Sequence, residues 1–286
     1  MAGAGMKEIK TRIASVENTK QITKAMELVS SSKFRRAKEK AESSKAYFNT
    51  LKEAVENIAK NTSGSKSEFL KQREVKNKCY VVIAGDRGLA GGYNSNVFKA
   101  LAAEAEGTTK AKIITVGKKA KEFVSKRNFE LIQSVNSVEN ASYEDIMNIS
   151  KTIMDLYQKG DIDEVKLIYT EFVSALSQEP RLVKLLPVSI EAKEGNEKKS
   201  GAAVQYLPSP DAVLGFIVPK YVSGMIYGGL AESYASEQAA RRTAMESATD
   251  NANEMISNLE LQYNRARQAA VTQEISEIVA GASSAQ

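Results

Sequence analysis

The chain has 286 residues, of which 42% are hydrophobic, so it can form one large or two modest domains with a sizeable core. Its formal net charge of +5, from 40 basic and 35 acidic residues, is too mild for a dedicated nucleic-acid-binding protein and equally suits an acidic protein partner. Histidine is absent and cysteine occurs once, which excludes histidine-based catalysis, Cys–His dyads, intramolecular disulfides and most zinc sites.

The first element is a long helix. Residues 6–63 contain no glycine or proline and are rich in Ala, Lys, Glu and Ser. Such a helix is ~85 Å long at 1.5 Å per residue, whereas a compact chain of this size has a radius of gyration of about 19 Å, so the helix must project from its domain. Apolar residues at steps of three and four predict its packing seam: Ile9, Ile13, Val16, Ile22, Met26 and Val29. The N-terminal residues show no secretory or transit pattern, and we expect the protein to stay where it is made.

The middle of the chain alternates between strands and helices. Strand-like runs, with Cys79 as a buried residue of the first, occupy 78–86, 111–117, 129–135 and 164–174. Helical stretches occupy 94–106, 118–127 and 142–159. This order predicts βαβ units and a Rossmann-like, mainly parallel sheet. Residues 181–192 are a candidate further strand, and 191–203 form a charged, flexible loop.

A second long helix is predicted from at least Leu230 to Val279, because glycine and proline are absent between Gly229 and Gly281. Its seam has heptad spacing and comprises Met245, Ala248, Ala252, Met255 and Leu259, followed after a change of phase by Tyr263, Ala266 and Ala270. The simplest partner of each long helix is the other.

The predicted fold class is therefore α/β, with a long antiparallel coiled coil of N- and C-terminal helices and an inserted Rossmann-like parallel-sheet domain. The expected boundaries are 1–65 for the first helix, 75–205 for the inserted domain and 210–286 for the last helix. Residues 214–230 are apolar but contain Pro219, Lys220 and glycines, so we do not expect them to span a bilayer.

The end of the chain is amphipathic. Val271, Ile275, Ile278 and Val279 fall on one helical face close to the C-terminus, where chains usually fray. This face therefore requires a partner surface, from this chain or from another.

A glycine-rich turn, AGDRGLAGGYNSN at 84–96, lies between a strand and a helix, where phosphate-binding loops occur. Its glycines do not follow GxGxxG, and Asp86 and Arg87 stand where a bare backbone would have to meet a pyrophosphate. A structural turn or a subunit-docking loop is therefore favoured over a nucleotide site. No catalytic group, metal site or cofactor site can be assembled elsewhere, and Asp161 and Asp163 are typical turn residues.

Two polar segments leave alternatives open. The basic cluster SKFRRAKEK at 32–40 can be a solvated helix face, a contact for acidic groups or a nucleic-acid contact. The segment NRARQAAVTQE at 264–274 can be ordinary exposed helix or a polar contact with an enclosing partner. On residues alone, a mechanical or interaction protein is favoured over an enzyme. The alternatives are a Rossmann-type nucleotide enzyme that carries a helical arm and a coiled-coil arm that binds RNA.

Both ends of the chain and the glycine turn resemble one family. The matching stretches are IKTRIASVENTKQITKAMELVSSSKFRRA (9–37), GDRGLAGGYN (85–94), YASEQAARRTAMESATDNANEMI (234–256) and LQYNRARQAAVTQEISEIVAGA (261–282). They closely resemble the gamma subunit of F-type ATP synthase. The terminal family signature is matched by Val271, Thr272, Glu274, Glu277, Gly281 and Ala282.

The resemblance implies a rotor shaft without a catalytic site or cofactor of its own. One copy per complex would stand in a hexamer of alternating alpha and beta subunits, with the α/β domain against the epsilon subunit and the ring of c subunits. No nucleic acid is involved. Ion flow through the ring would supply torque, and asymmetric contacts would bias each beta subunit differently. The implied location is peripheral, on the cytoplasmic side of a bacterial plasma membrane.

The resemblance also assigns residues by position. Arg267 and Gln268 match a polar pair that family members use against a loop of beta. Lys33, Arg35 and Arg36 would face an acidic segment of beta. The place where both helices meet beta is matched by Met26, Arg241, Gln268 and Thr272. The foot toward the c ring and epsilon contains Tyr206, Ser209 and Asp211, with Ser209 standing where the family commonly has an acid. The regulatory cysteine insert of chloroplast homologues is missing, so no thiol switch is expected.

Overall fold

The computed structural model describes residues 2–61, 67–71, 73–106, 111–188, 206–207 and 209–283. In chain order the elements are α1 (Ala2–Asn61), β1 (Lys78–Ile83), α2 (Tyr93–Glu104), β2 (Lys112–Val116), α3 (Lys118–Ser125), β3 (Glu130–Val135), α4 (Tyr143–Lys159), β4 (Glu164–Phe172), β5 (Gln178–Leu186) and α5 (Pro210–Ser283). The chain divides into two compact units, which are Ser31–Ala240 (the sheet unit) and Met1–Ser30 with Arg241–Gln286 (the two-helix unit). The predicted loop at 191–203 lies outside the described residues.

The sheet has the strand order β3-β2-β1-β4-β5, with β1 parallel to both β2 and β4. In β1 every residue after Lys78 is fully buried, as expected for a central parallel strand covered on both faces. Helices α4 and α5 cover one face, and α2 and α3 cover the other. The predicted βαβ order is confirmed, and the candidate last strand is present as β5, which runs antiparallel to β4.

Helix α5 begins at Pro210, 20 residues before Leu230, the residue from which the absence of glycine and proline predicted a helix at the least. The reason is tertiary packing: Leu214, Val218, Val222 and Ile226, each four residues apart, are fully buried in the core. Core burial of this stripe overrides the low helix propensity of the proline and glycines within it. One window of α5 has a mean hydropathy of 1.3 and could cross a membrane by length and composition, but half of that window is buried inside the protein.

Two glycines of this segment have a packing role. A Cβ atom on Gly224 or Gly228 would lie 3.0 or 2.9 Å from carbon atoms of the Phe48 ring, so the glycines let α1 approach α5 closely. Within the sheet unit the two helices run antiparallel, because Phe48 packs on Gly224 while Lys33 lines a cavity together with Tyr234. The predicted fold class is confirmed in this respect.

The two-helix unit has a seam of buried and half-buried residues. Three residues that were predicted to belong to this seam do not. Ile22, Val29 and Met255 are 61%, 56% and 52% exposed. Their places are taken by neighbours one residue further along, which are Thr23, Ser30 and Ile256. When these polar side chains are included, the seam positions follow steps of three and four residues without a gap. A pattern drawn from apolar residues alone could not reveal this. Thr23 and Thr249 satisfy each other across the seam with a hydrogen bond of 2.8 Å.

Candidate functional site

The glycine turn after β1 is held in place by hydrogen bonds to the carboxylate of Asp86, which belongs to the turn. Asp86 accepts hydrogen bonds from the backbone N–H of Val138 at 3.0 Å, from Ser137 Oγ at 3.1 Å and from the backbone N–H of Lys118 at 3.3 Å. Lys118 is the first residue of α3, so the carboxylate occupies an anion site at a helix N-terminus. In a nucleotide-binding Rossmann domain a phosphate would use such N–H groups. Here they serve to fasten the turn to the loops after β2 and β3.

The tip of the turn is held in a defined shape. Asn94 Oδ1 accepts from the backbone N–H of Gly85 at 2.8 Å, and its Nδ2 donates to the carbonyl of Arg87 at 3.1 Å. Leu89 lies at the tip with φ of 63°, a left-handed conformation that is costly for leucine, and its side chain is 65% exposed. An exposed, strained leucine is a candidate contact residue that sequence reasoning did not single out.

Helix α5 fills the crevice at the carboxyl ends of β1 and β4. This is the point where the strand order reverses, and ligands of open α/β sheets bind at such points. Ser233 shares a hydrogen bond of 2.8 Å with the Tyr93 hydroxyl and accepts from the backbone N–H of Thr170 at 3.2 Å. The Glu237 carboxyl group lies so close to Gly85 that a Cβ atom there would be 2.9 Å from it. The protein's own helix therefore stands where a dinucleotide would bind.

We expect Asp86→Ala to lower the free energy of unfolding by about 2 kcal/mol, because three donors lose a charged acceptor. Denaturant unfolding of the isolated chain measures this loss. The matched control is Asp155→Ala, an exposed residue of α4, for which the change stays within about 0.5 kcal/mol. Equal costs for the two variants would show that the turn does not depend on Asp86.

The three basic residues of α1 that were assigned to beta have different surroundings. Lys33 Nζ lies 2.7 Å from Glu139 Oε1, and its hydrogen bond holds the pKa of Glu139 below the usual range. Arg35 and Arg36 are exposed. The structure thus ties Lys33 to a carboxylate of its own chain and presents the two arginines to solvent.

The four residues assigned to a single meeting place do not lie together, because Arg241 is far along α5 from Gln268 and Thr272. Arg241 and Gln268 belong to the same helix and are separated by about 40 Å at 1.5 Å rise per residue. Arg241 is buried and Met26 is half-buried, whereas Gln268 and Thr272 are exposed. Thr272 Oγ1 donates to the Gln268 carbonyl at 2.9 Å, so these two form one small polar site. Two separate sites replace the one expected.

The polar pair and the tail lie on the outside of the same helix. Arg267 is exposed next to Gln268, and every residue from 271 to 280 is exposed. On the predicted apolar face, Ile275, Ile278 and Val279 are 57%, 70% and 62% exposed. Among the described residues the chain itself does not cover this face.

The foot residues surround the start of α5. Ser209 Oγ accepts from the backbone N–H of Ala212 at 3.2 Å, which makes Ser209 the N-cap, with Pro210 as the first helical residue and Asp211 in the first turn. A serine therefore performs a structural task at the position where the resemblance led us to expect an acid. Tyr206 packs on the core. Phe216, which sequence reasoning did not single out, is 68% exposed.

The chain's cysteine is confirmed as a buried strand residue. Cys79 is fully buried, and burial raises the pKa of its thiol to about 12. Within the part of the chain that the structure describes, no three acidic, cysteine or histidine residues are grouped so that they could hold a metal ion.

Comparison with known proteins identifies the family. A family model described as ATP synthase matches residues 5–285. The ATP synthase gamma chain of Alkaliphilus metalliredigens is 49% identical over 98% of both chains. The sodium ion specific ATP synthase gamma chain of Acetobacterium woodii is 42% identical over 97% of both.

Solved structures share the fold. A chain of the Euglena gracilis mitochondrial ATP synthase has a TM-score of 0.73 at 20% identity, covering 99% of this chain and 95% of that one. A chain of the Tetrahymena thermophila ATP synthase central stalk and c ring has a TM-score of 0.58 at 25% identity, covering 79% of this chain and 99% of that one.

Family membership decides between the alternatives. Neither a Rossmann-type nucleotide enzyme nor an RNA-binding arm accounts for matches that run through nearly the whole length of both chains. The predicted function, a shaft that couples rotation to ATP synthesis and hydrolysis without a catalytic site of its own, is confirmed. The chain belongs to the ATP synthase gamma chain family and is the non-catalytic rotor subunit of an ATP synthase.

Proposed function

We propose that one copy of this chain stands inside a hexamer of alpha and beta subunits, with the sheet unit toward the epsilon subunit and the c ring. The complex is associated with the membrane, and we place the chain at its cytoplasmic side, in a bacterium. The observation that carries this proposal is the exposed apolar surface of the two-helix unit. No nucleotide, cofactor or nucleic acid is required for this role.

The exposed apolar side chains lie on both helices of the two-helix unit. They are Ile22, Leu28 and Val29 on α1 and Met255, Leu261, Val271, Ile275, Ile278 and Val279 on α5. Single exposed apolar residues are ordinary, but a two-helix unit with so many favours an enclosing partner. Full burial of such a side chain contributes about 1.5–3 kcal/mol, so a surrounding sleeve would stabilise the helices substantially.

Unequal contacts around the shaft provide the coupling. Moving a two-state equilibrium from 1:99 to 99:1 takes about 5.5 kcal/mol of differential interaction. Hydrogen bonds to charged groups contribute about 1.5–3 kcal/mol each, so about two to four such contacts suffice. We assign Arg267 and Gln268, both exposed, to a loop of beta, with Thr272 beside them. As the shaft turns, these contacts move from one beta subunit to the next.

A second beta contact is assigned to α1. Arg35 and Arg36 are exposed and can pair with an acidic segment directly. Lys33 must share its ammonium group with Glu139 or leave it. That ion pair is partly exposed and contributes at most about 1 kcal/mol, so exchange of partners costs little. Met26 and Arg241 are assigned to the place where both helices meet beta.

The foot is assigned to the start of α5. Tyr206 anchors it to the core, and Ser209 caps the helix. Asp211 is exposed in the first turn, where a partner subunit can reach it. We propose that this end faces the c ring and epsilon.

In the isolated chain we expect backbone amides of residues 271–280 to exchange hydrogen rapidly, because their side chains are exposed and the thin helix end gains little burial. In the assembled complex the same amides become protected. Hydrogen exchange measured by mass spectrometry on both samples provides the comparison. Full protection in the isolated chain, or no gain in the complex, would contradict the enclosing sleeve.

We expect Arg267→Ala/Gln268→Ala to slow ATP synthesis by the complex about tenfold, the factor that corresponds to one lost charged contact of about 1.4 kcal/mol. Both residues are exposed, so the unfolding of the isolated chain is unaffected. Arg265→Ala, a neighbouring exposed arginine, is the matched control. Equal rates for the double variant and the control would remove Arg267 and Gln268 from the coupling contacts.

A further inference from the structure

Four buried polar residues join α5 to the sheet unit. We name Tyr93, Thr170, Ser233 and Ser236 the latch. Ser233 Oγ is bonded to the Tyr93 hydroxyl and accepts from the backbone N–H of Thr170, while Ser236 Oγ donates to the Thr170 carbonyl at 3.2 Å. Each of the four is at most 3% exposed.

The latch replaces a strand. The pairing of β4 with β1 ends at Ile168, and at Thr170 the two serines of α5 satisfy both the N–H and the C=O of the strand backbone. One turn of the helix thus acts as an additional edge of the sheet.

These contacts constrain α5 in a way that apolar packing does not. Apolar burial is non-directional, so it defines the axial position and rotation of a helix less sharply than hydrogen bonds do. Hydrogen bonds weaken steeply when their angle or distance changes. Ser233 and Ser236 are three residues apart and bond to the backbone N–H and C=O of Thr170. Together these two hydrogen bonds fix both the axial position and the rotation of α5.

We propose that the latch is the point at which torque on the sheet enters α5, so that Ser233 and Ser236 are positioning residues for coupling. This inference rests on the proposed function. Torque applied to the sheet unit must be passed to a helix that continues to Ser283. When the latch is weakened, the helix slips under load while ATP hydrolysis continues.

The test uses the complete ATP synthase in sealed vesicles and measures the number of ions pumped per ATP hydrolysed. Uptake of protons and of sodium ions is followed separately. We expect Ser233→Ala/Ser236→Ala to change the hydrolysis rate by less than about twofold and to lower the ratio of ions to ATP about tenfold. Three hydrogen bonds are lost, and each corresponds to a factor of about two at the low end of its net contribution. The matched control is Ser43→Ala/Ser44→Ala, whose hydroxyls bond only to the Lys40 carbonyl of their own helix among the hydrogen bonds described.

An unchanged ratio, or a fall that the control shares, would overturn the inference. A purely structural role would lower the unfolding temperature without changing the ratio. Should the double variant fail to assemble, Tyr93→Phe removes a single hydroxyl and keeps the ring. A fall of about twofold in its ratio would support the latch, and an unchanged ratio would overturn it. If the wild-type complex hydrolyses ATP without pumping either ion, the proposed function fails instead of the latch.

Discussion

Gly117→Ala lowers the free energy of unfolding by about 4 kcal/mol or more. Gly117 follows β2 with φ of 100°, and a Cβ atom there would lie 1.9 Å from the carbonyl oxygen of Ala84 and 2.9 Å from Val138 Cγ2. The backbone cannot swing away, because the Gly117 N–H donates to the Val135 carbonyl at 2.8 Å. An overlap with buried backbone added to an unfavourable φ is among the few causes of so large a loss. Denaturant unfolding of the isolated chain measures it.

The control for this prediction separates the clash from the backbone conformation. Gly160 also has a positive φ, of 77°, but nothing lies within 4 Å of the position that an alanine methyl group would take there. Gly160→Ala therefore costs about 1 kcal/mol, from the left-handed conformation alone. If the two variants unfold at the same denaturant concentration, the close approach of Gly117 to Ala84 does not limit the side chain at this position.

Lys166→Ala is the second substitution with a large expected effect, a loss of about 3 kcal/mol. Lys166 Nζ lies 2.5 Å from Glu104 Oε1 and 3.2 Å from Glu164 Oε2, and its side chain is largely buried. Its removal takes away the partner of Glu104 and leaves Glu164 with Lys184 at 3.2 Å. Thermal unfolding of the variant measures the loss.

The matched control is Lys38→Ala on α1. Lys38 and Glu42 form an exposed pair at 3.6 Å, four residues apart on one helix. Exposed pairs of this kind contribute about 0.5 kcal/mol or less. A Lys166 variant no less stable than the Lys38 variant would mean that the charges around Glu164 are solvated rather than mutually dependent.

The Lys166 effect has a defined pH dependence. Burial lowers the pKa of Lys166, but hydrogen bonds with Glu104 and Glu164 outweigh it and raise the pKa above its usual value. The stabilisation is therefore complete below the unfolded-state lysine pKa of about 10.4 and is lost as pH rises through the higher folded-state pKa. Between about pH 7 and 9 the stability difference between wild type and Lys166→Ala should accordingly be constant.

The helices and strands were predictable because each has a periodic pattern. The alternation of buried runs with helical segments predicted the sheet, and the long segment without glycine or proline predicted α1. The sequence patterns were least informative where packing decides. Pro219 lies inside α5 because its neighbours belong to the core, and Thr23 and Ser30 complete a seam for which only apolar residues were considered.

The candidate site residues were assigned from the sequence, but their contacts within the chain could not be. The crowding of the glycine turn by Asp86 was visible in the sequence, and on that ground a nucleotide site was disfavoured there. The sequence could not predict the hydrogen bond between Asp86 and Val138, or those of Ser233 and Ser236 with Thr170. The bonded residues lie 52 to 66 positions apart along the chain. Pairs at such separations leave no periodic signal in a single sequence.

The most direct test of the rotor function is to observe rotation of this chain within the ATP synthase complex. Leu176, 85% exposed in the turn between β4 and β5, is changed to cysteine to carry a bead or fluorophore. Cys79 does not compete for the label, because it is buried and its thiol pKa is about 12. With the hexamer fixed to a surface and its exposed cysteines removed, we expect continuous rotation of the probe in one direction while ATP is hydrolysed. A stationary probe on a complex that hydrolyses ATP would contradict the rotor function.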